Sequence, residues 1–387
     1  MKRICILTAT RAEYGLLKNV MLKLEQHEVI DLRVVVTGAH LSPEFGLTYK
    51  EIEADGVKID KKIEILLSSD TTTAVSKSMG LAMVSFADYF EATKPDLLVV
   101  LGDRYEALAV STVAMNMRIP IAHLHGGEAT EGLVDEAIRH SITKMSYLHF
   151  TSTEAYRKRV IQLGEAPERV FNVGAVGVEN ILNEPLMTLD ELEDSLSYKF
   201  EKPYAVVTFH PVTLEKSTSK DQIMSLLDAI DQHDDVIYIF TKGNADADGR
   251  IINEIIDAYV AKKSNCIAFT SLGMKRYLSA LKYCSFVIGN SSSGIIEVPS
   301  FKKPTINIGD RQRGRIQAET IINCDVDVNE ISKALSIAKD DSFRNKLIDA
   351  SNPYEQKNTS DRIIGIIIDF LLKNKINIKK KFYDINE

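Results

Sequence analysis

The 387-residue sequence contains only four cysteines, and they are scattered along the chain. They form no CxxC motif and no Cys/His cluster with the spacing of a zinc site. Cys5, Cys266, Cys284 and Cys324 lie mostly in or beside apolar runs. We therefore expect buried free thiols in a reducing cytosol and no bound metal.

Long hydrophobic runs are also missing. The apolar run near the N-terminus (ICIL) is too short for a signal peptide, and later runs such as Leu97–Leu101 are too short to span a bilayer. Basic residues are not in excess either, since 47 Lys and Arg stand against 54 Asp and Glu, for a net charge of −7. These absences argue against nucleic-acid and membrane partners and indicate a cytoplasmic protein.

The sequence does contain an alternation of short apolar segments with longer amphipathic ones. Helical spacing of apolar residues predicts helices at residues 14–26, 73–93, 106–116 and 130–145. The strand candidates between them are RICILTA, DLRVVVTG, DLLVVLG, IPIAHLHG, LHFTST and RVFNVG. Strands that alternate with helices predict a parallel sheet covered on both faces.

The alternation stops at residues 183–203, an acidic stretch with two prolines that predicts a linker and a peripheral helix. Strands resume as YAVVTFHP, VIYIFTKG, CIAFTS, FVIGNSS and PTINIG, with helices at 219–232, 250–263, 275–282 and 361–373. The chain is also too long for one typical core. It therefore predicts an α/β fold of two Rossmann-like doubly wound domains, with the cleft between them as the expected active site.

The segment FVIGNSSSGIIE at 286–297 has the pattern of a phosphate site. A buried strand is followed by small polar residues and then by a predicted helix, whose first N–H groups and dipole favour an anion. Ser292 or Ser293 would cap this helix or bind a phosphate oxygen, and Glu297, near its start, would bind a ribose. An ordinary serine-capped helix is the alternative.

Candidate residues of the first half follow predicted strands. Arg11 follows the first strand, where it would bind phosphate through two parallel hydrogen bonds; a surface charge is the alternative. His40 follows the second strand, either as a pocket donor or as a plain loop histidine. Asp103 follows the apolar strand LLVVL, either as a functional carboxylate or as a helix N-cap.

The motif HLHGGE and the helix after it add titratable groups. His123, His125 and Glu128 lie on a glycine-containing loop, where backbone can approach a ligand closely. No third ligand at zincin-like spacing accompanies the two histidines, so we do not expect a metal. Asp135 and Glu136 begin the next helix, and one of them is expected to face the cleft unless the pair is a solvated helix face.

Phosphate-type groups dominate the second half. His210 ends the first strand there, Asn244 follows the next, and Arg311, Arg313 and Arg315 form a basic cluster after PTINIGD. A core or loop histidine and a surface charge run are the alternatives. Carboxylates from the first half and phosphate-binding groups from the second suit a nucleotide-linked substrate.

These residues resemble the hydrolysing UDP-N-acetylglucosamine 2-epimerases, especially those of bacterial capsule pathways, which supply N-acetylmannosamine for sialic acid synthesis. The resemblance covers nearly the whole chain. Its motifs are TRAEYG at 10–15, TGAH at 37–40, LGDRYE at 101–106, HLHGGE at 123–128, DEAIRHSITKMS at 135–146, TSTEAYRKRVIQLGE at 151–165, FHPVT at 209–213, GNSSSGIIEVPS at 289–300 and NIGDRQRGR at 307–315.

The resemblance implies the glycosyltransferase-B architecture. Residues 1–180 would form the first domain, with the C-terminal helix and tail at 361–387 packing back on it, and residues 200–360 would form the UDP-binding domain. The implied reaction is anti elimination of UDP to 2-acetamidoglucal, followed by syn hydration to N-acetylmannosamine. It needs no cofactor, its ligands are UDP-N-acetylglucosamine and UDP, and the assembly would be a homodimer or homotetramer.

The resemblance also implies the roles of individual residues. The catalytic positions are Asp103, Glu128, Asp135, His125 and His210. The substrate-binding positions are Arg11, Gly15, His40, Arg104, His210, Asn244, Leu272, Ser291, Ser292, Ser293, Glu297 and Arg311. One departure matters, because some branches carry a catalytic glutamate where this chain has His125. It leaves open which group moves the C2 proton.

Other functions remain compatible with these residues. The same chemistry on a GDP-linked or modified N-acetyl sugar, feeding a legionaminic-type acid, would use similar motifs. The nucleobase would be recognised near residues 271–276. A B-type glycosyltransferase would need an acceptor and would not invert C2. A non-catalytic nucleotide-sugar sensor would bind UDP but be indifferent to Asp103→Asn.

Overall fold

The computed structural model describes residues 1–69, 71–131, 133–212, 218–242, 249–373 and 376–385. The chain divides into two compact units. Unit 1 comprises Met1–Glu128, Val134–Asn180 and Gln356–Glu387, and unit 2 comprises Ala129–Leu133 and Ile181–Glu355. The domain bounds expected from the sequence, 1–180 with 361–387 and 200–360, stay a prediction.

Unit 1 is a doubly wound α/β structure. Up to the boundary with unit 2, its elements are β1 (Lys2–Thr8), α1 (Arg11–Glu25), β2 (Ile30–Thr37), α2 (Tyr49–Ala54), β3 (Ile59–Ile63), α3 (Thr72–Thr93), β4 (Leu97–Leu101), α4 (Tyr105–Asn116), β5 (Ile121–Leu124), α5 (Asp135–Met145), β6 (Leu148–Thr151), α6 (Glu154–Gln162), β7 (Val170–Asn172) and α7 (Val176–Asn183). Its described strands pair in parallel in the order β3-β2-β1-β4-β5-β6-β7. The winding direction reverses between β1 and β4, which is where such sheets bind ligands.

The sheet of unit 1 is buried on both faces, and β1 shows why its strands read as continuous apolar runs. Ile4 and Ile6 pack into the core on one face, which α1 covers, whereas Cys5 and Leu7 pack into the core on the other face, which α3 and α4 cover. Side chains alternate between the two faces of a strand, so both sets must be apolar.

Unit 2 repeats this architecture. Its elements are α8 (Leu189–Leu196), β8 (Tyr204–Thr208), α9 (Ser219–Ile230), β9 (Ile237–Thr241), α10 (Gly249–Val260), β10 (Cys266–Phe269), α11 (Gly273–Tyr283), β11 (Phe286–Gly289), α12 (Ser292–Ile296), β12 (Thr305–Ile308), β13 (Ile321–Cys324), α13 (Val328–Lys339) and α14 (Asp341–Lys346). Its described strands pair in parallel in the order β10-β9-β8-β11-β12-β13, with the reversal between β8 and β11.

The last helix, α15 (Thr359–Leu372), belongs to unit 1. Its apolar residues Ile363 and Ile367 join the same core as Leu17 of α1. At the helix surface, Lys23 Nζ lies 2.7 Å from a carboxylate oxygen of Asp361. Packing of an apolar stripe, rather than the exposed ion pair, provides most of the stabilisation of this contact.

Several elements differ from the sequence-based expectation. The strand β3 was not predicted, because its sequence IDKKI is mostly polar and lies at the sheet edge. The helix expected at 130–145 begins only at Asp135. The preceding segment belongs to unit 2, where the Glu131 N–H donates to the Arg313 carbonyl at 3.2 Å. Because its backbone is bound there, the segment Ala129–Leu133 does not continue α5 towards the N-terminus.

The cysteines are free, as predicted. Cys5, Cys266 and Cys284 are buried and Cys324 is half-buried. Burial raises the pKa of the Cys266 and Cys324 thiols to about 12, so these thiols are poor nucleophiles. In the part of the chain that the structure describes, no helix is long and apolar enough to cross a membrane.

Candidate active site

Asp103 is held by an ion pair at the carboxyl end of β4. Its carboxylate accepts a hydrogen bond from Arg139 Nη2, and its side chain keeps 23% exposure while that of Arg139 has 1%. Arg139 Nη1 also donates to Glu136 Oε2 at 2.7 Å and to the Glu128 carbonyl at 2.9 Å. Arg139 therefore joins the β4 and β5 loops to α5. Sequence reasoning missed its role, although its place one turn after Asp135 was visible.

Asp135 and Glu136 have different surroundings in the first turn of α5. Glu136 lies within the helix network, bound to Arg139 and, through Oε1, 3.1 Å from His140 Nε2. Asp135 is the first helical residue, and no side chain caps the helix before it. A carboxylate in that position is stabilised by the helix dipole. The two neighbours therefore differ in position, with Asp135 at the start of the helix and Glu136 bound to Arg139 within its first turn.

His125 and Glu128 form a buried pair in the loop after β5. His125 adopts a left-handed backbone conformation (φ +65°), and its Nδ1 lies 3.2 Å from Glu128 Oε1. The Val176 N–H can only donate, and it points at His125 Nε2 from 3.4 Å. This contact makes Nε2 the acceptor, so Nδ1 carries the proton and donates it to Glu128. Ser152 Oγ donates to the same carboxylate at 2.8 Å.

His123, in β5, forms a hydrogen bond with the backbone just before Asp103. Its Nε2 lies 2.7 Å from the Gly102 carbonyl, which can only accept, so Nε2 carries the proton. Nδ1 lies 3.2 Å from Thr143 Oγ1. Burial lowers the pKa of His123 to about 3, so it is neutral at physiological pH. It fixes Gly102, which has φ +74°, just before Asp103.

His40 is fully buried rather than open to a ligand. Its Nε2 lies 3.0 Å from Thr8 Oγ1 and its Nδ1 lies 2.8 Å from Thr48 Oγ1. Burial lowers its pKa to about 3, again giving a neutral ring. These contacts favour support of the β1 and β2 loops over direct substrate contact, which stays a prediction.

Two buried carboxylates, those of Glu13 and Glu106, lie beside the predicted binding residue Arg104. Glu13 Oε2 accepts from the N–H groups of Ala9 (2.6 Å) and Thr10 (3.1 Å), which completes a capping box at the start of α1. Arg104 Nε lies 3.2 Å from Glu106 Oε2. Burial, with a smaller contribution from the charge of Glu106, raises the pKa of Glu13 to about 7.

The two remaining predicted residues of unit 1 lie on α1. Arg11 is the first residue of this helix, and its side chain is half-buried. Gly15 is inside the helix, and its carbonyl accepts from Asn180 Nδ2 at 2.7 Å. A substrate contact by Gly15 would therefore have to come from the helix surface, not from a loop.

In unit 2, Asn290 joins three loops that follow β8, β11 and β12. Its side-chain amide pairs with both backbone groups of His210, at 2.7 Å and 2.8 Å. Its carbonyl accepts from Arg311 Nη1 at 3.0 Å and from Gln312 Nε2 at 2.9 Å. His210 and Arg311, predicted from separate motifs, are thus connected through one residue. Arg313, in contrast, is exposed.

The serine turn corrects two predictions. Ser291, not Ser292 or Ser293, is the N-cap, and its side chain accepts from the Ser293 N–H at 3.4 Å. The helix it caps, α12, has only five residues, so Glu297 lies at its end rather than near its start. Pro299 and the tight turn after Glu297 explain the short helix. Tyr277 donates to Ser293 Oγ at 2.8 Å.

Leu272 and Asn244 complete the predicted set. The Leu272 side chain has 2% exposure, and its carbonyl accepts from Arg276 Nε at 2.7 Å, so only its backbone is suited to ligand recognition. Asn244 lies outside the described residues. The substrate-binding roles of both residues stay predictions.

Comparisons with known proteins agree with this architecture. The family model for UDP-N-acetylglucosamine 2-epimerase matches residues 22–368. The GDP/UDP-N,N'-diacetylbacillosamine 2-epimerase (hydrolyzing) of Campylobacter jejuni is 47% identical over 344 residues, 89% of each chain. The polysialic acid biosynthesis protein P7 of Escherichia coli is 43% identical over 392 residues, 100% of this chain and 98% of the relative.

A crystal structure of UDP-GlcNAc 2-epimerase from Neisseria meningitidis bound to UDP-GlcNAc superposes with a TM-score of 0.80, at 18% identity over 95% of this chain and 100% of that one. This likeness confirms the predicted α/β class with two parallel sheets of the glycosyltransferase-B type. The family model covers most of the chain, and the two relatives align with nearly all of it. The chain belongs to the UDP-N-acetylglucosamine 2-epimerase family.

Proposed function

We propose that this protein is a hydrolysing 2-epimerase that converts UDP-N-acetylglucosamine and water to N-acetylmannosamine and UDP. The observation that carries the proposal is the ion pair of Asp103 with the buried Arg139. Arg139 lies on α5, one turn after Asp135. This ion pair holds a partly exposed carboxylate at the carboxyl end of β4, where doubly wound sheets bind ligands. The similarity to protein P7 supports sialic acid synthesis as the destination of the product.

The chemistry requires a base at the sugar C2. A C2–H beside an N-acetyl group is weakly acidic, so the base must be within hydrogen-bond reach. We assign the proton transfers to Asp103 and Asp135. One of these carboxylates takes the C2 proton while the C1–O bond to UDP breaks, and the product is 2-acetamidoglucal. Water then adds in the syn sense, with its hydroxyl at C1 and a proton at C2 on the same face, which is opposite to the face that lost the first proton. Arg139 holds the Asp103 carboxylate in place for this step through their ion pair.

His125 and Glu128 take the place of the glutamate found in other branches. The His125 Nδ1–H group donates a hydrogen bond to the Glu128 carboxylate, which restricts the orientation of that carboxylate. We propose that Glu128, oriented by His125 and Ser152, joins Asp103 and Asp135 in exchanging protons with the sugar or with water. His125 then completes the catalytic set by fixing this carboxylate.

Departure of UDP requires positive charge and fixed donors around the diphosphate. We assign this role in unit 2 to His210, Arg311 and the turn Ser291–Ser293, with Glu297 as the ribose acceptor. In unit 1 we assign UDP contacts to Arg11 and Arg104. Arg104 is half-buried against Glu106, which limits its motion before the ligand arrives.

A second substrate is favoured by one comparison. The Campylobacter jejuni relative, 47% identical, is a GDP/UDP-N,N'-diacetylbacillosamine 2-epimerase. This sugar carries the same 2-acetamido group, so the same elimination and hydration would apply. The difference would lie in contacts to the rest of the sugar and to the nucleobase, and residues 271–276 are the candidates for the latter.

Proton NMR in deuterated water tests both candidates. The purified protein is incubated with UDP-N-acetylglucosamine and, separately, with UDP- and GDP-linked N,N'-diacetylbacillosamine. Free N-acetylmannosamine with deuterium at C2 and released UDP is the expected result. Turnover of only the bacillosamine derivatives would select the second candidate. If no sugar is turned over, the epimerase proposal fails, and transfer to an acceptor becomes the function to assay.

Asp103→Asn separates an enzyme from a nucleotide-sugar sensor. We expect turnover to fall about 10²–10⁴-fold, the usual contribution of a proton-transfer group, while UDP affinity is kept. Asp88→Asn, on the exposed surface of α3, is the matched control and should change neither quantity. Unchanged turnover in Asp103→Asn would contradict the assigned role.

A further inference from the structure

Asn290 makes an unusual set of contacts for a residue outside the predicted site. It follows β11 and has 1% exposure. Its Oδ1 accepts from the His210 N–H at 2.7 Å, and its Nδ2 donates to the His210 carbonyl at 2.8 Å. The side-chain amide therefore satisfies both backbone groups of one residue, as a neighbouring strand would.

The backbone of Asn290 continues the same connection. Its N–H donates to the Thr208 carbonyl at 3.1 Å at the end of β8. Its carbonyl accepts from Arg311 Nη1 and Gln312 Nε2 in the loop after β12. Three loops from three adjacent strands are thus bound to one buried residue, whose chain neighbour is the N-cap Ser291.

Only an amide fits this position. The backbone N–H of His210 can only donate and its carbonyl can only accept, so the partner must offer one acceptor and one donor in that order. An aspartate is nearly the same shape, but it has no donor for the carbonyl and would bring a negative charge towards it. A buried polar group left without its partner costs more than the bond itself contributes.

We infer that Asn290 is a positioning residue: it fixes His210 and Arg311 relative to the serine turn before any ligand binds. The inference rests on the proposed function for the roles of His210 and Arg311. Through the backbone of His210 it sets the direction of the imidazole, and through its carbonyl it directs the Arg311 guanidinium. A site whose donors are fixed beforehand loses less free energy on binding an anion.

The variant Asn290→Asp tests the role because it changes one donor into an acceptor at constant size. We expect the Kd for UDP, measured by calorimetry, to rise by about 10- to 100-fold, the scale of a misplaced site group. The imidazole nitrogen resonances of His210 should also shift. Asn265→Asp is the matched control: Asn265 Nδ2 donates to the Val236 carbonyl at 3.0 Å, at the amino-terminal ends of the strands of the same sheet. It should leave both readouts unchanged.

Two outcomes would overturn the inference. One is a UDP affinity within twofold of the wild type in a folded Asn290→Asp protein. The other needs no variant: the His210 amide of the wild type, without ligand, should exchange its proton slowly, and fast exchange would show that Asn290 does not hold it. Both readouts are independent of turnover. A wild type that binds UDP but turns over no sugar would therefore reject the proposed function and leave this inference to be judged separately.

Discussion

Glu13 shows how burial changes the chemistry of a single side chain. It lies beneath the loop after β1, next to Glu106, and both carboxylates are almost completely buried. Burial and the neighbouring charge raise its pKa from 4.5 to about 7, although Arg104 and the two backbone N–H groups act in the opposite direction. The folded protein therefore binds a proton at Glu13 that the unfolded chain has already lost at neutral pH.

The variant Glu13→Gln should remove this pH dependence. The folded pKa of Glu13 is higher than the unfolded one, so protonation of Glu13 stabilises the folded wild type. This stabilisation is fully present below a pH of about 4.5 and is lost as the pH rises through about 7. Glutamine is neutral at every pH and still offers an oxygen to Ala9 and Thr10. We expect the free energy of unfolding of Glu13→Gln, relative to wild type, to increase by about 2–3 kcal/mol between pH 5 and pH 8.

Urea unfolding at pH 5, 6, 7 and 8 measures this difference directly. Glu25→Gln, exposed near the end of the same helix, is the matched control and should give a constant difference from wild type. A constant difference for Glu13→Gln as well would show that its carboxyl titrates normally in the folded protein.

At the same scale, the sequence predicted residues that follow strands, but not those that support them. Asp103, His210 and Arg311 were predicted as site residues because they follow apolar runs closely. Arg139 and Asn290 were not, since their partners lie far away in the sequence and only the folded chain brings them together. Their own types gave no signal, because an arginine in a helix and an asparagine before a serine cap are both ordinary.

At the scale of elements, the loop after β5 is fixed by its close packing on α6. A Cβ atom added to Gly127 would lie 2.5 Å from the Tyr156 carbonyl oxygen and 2.8 Å from Val160 Cγ2. The Gly127 carbonyl also accepts from Arg159 Nη1 at 2.6 Å. The glycine is therefore needed both for its backbone angle, φ +78°, and for the close approach of backbone to backbone.

Comparison of Gly127→Ala with Gly56→Ala separates these two effects. Gly56 has a similar backbone angle, φ +83°, but an added Cβ would meet no atom within 4 Å. We expect Gly56→Ala to lose about 1–2 kcal/mol of stability from backbone strain alone. Gly127→Ala should lose several kcal/mol more, because the Tyr156 backbone cannot move without distorting α6.

Thermal unfolding of the two variants and the wild type is sufficient to test this. Equal losses in both variants would mean that the loop can move away from α6. In that case His125 and Glu128, which lie in the same loop, would not be held rigidly either.

Element prediction succeeded where burial imposes a pattern and failed where it does not. The strands β4 and β11 lie inside their sheets, so their sequences are continuous apolar runs. The edge strand β3 has two lysines among five residues, and nothing local distinguishes it from a loop. The helix predicted from Gly294 to near Pro299 begins two residues earlier, at Ser292, and ends at Ile296, because the turn that contains Pro299 follows directly.

At the scale of the whole molecule, each unit is a doubly wound parallel sheet, which the alternation of segments was sufficient to predict. The composition of the units was harder to foresee. Residues Ala129–Leu133 belong to unit 2 although both flanking segments belong to unit 1. The hydrophobic periodicity of the sequence does not indicate that this segment belongs to unit 2. Its position depends on contacts with the loop after β12, such as the hydrogen bond from the Glu131 N–H to the Arg313 carbonyl.

The C-terminal tail is attached to unit 1 through a buried carboxylate. Glu165 has no exposed surface and accepts from Lys380 Nζ at 2.8 Å and 2.9 Å and from Lys144 Nζ at 2.7 Å. Lys380 also donates to the Ser146 carbonyl at 2.6 Å. Burial alone would raise the pKa of Glu165, but its hydrogen bonds with His149 and the lysines lower it to about 2. The carboxylate is therefore charged at physiological pH, and Lys380 and Lys144 compensate its buried charge.

The variant Lys380→Met should release the tail, because methionine keeps most of the unbranched side chain and removes the charged amino group. We expect faster proteolysis and hydrogen exchange in residues 376–385 and a loss of about 2 kcal/mol of stability. This is below the ~3–5 kcal/mol for breaking a buried ion pair, since Lys144 and His149 still face Glu165. Lys379→Met changes the exposed neighbour and should leave both measurements at the wild-type level. If Lys380→Met leaves the tail as protected as in the wild type, then the packing of Phe382 over Gly164 and the bond from the Tyr383 N–H to the Gly164 carbonyl hold the tail without the lysine.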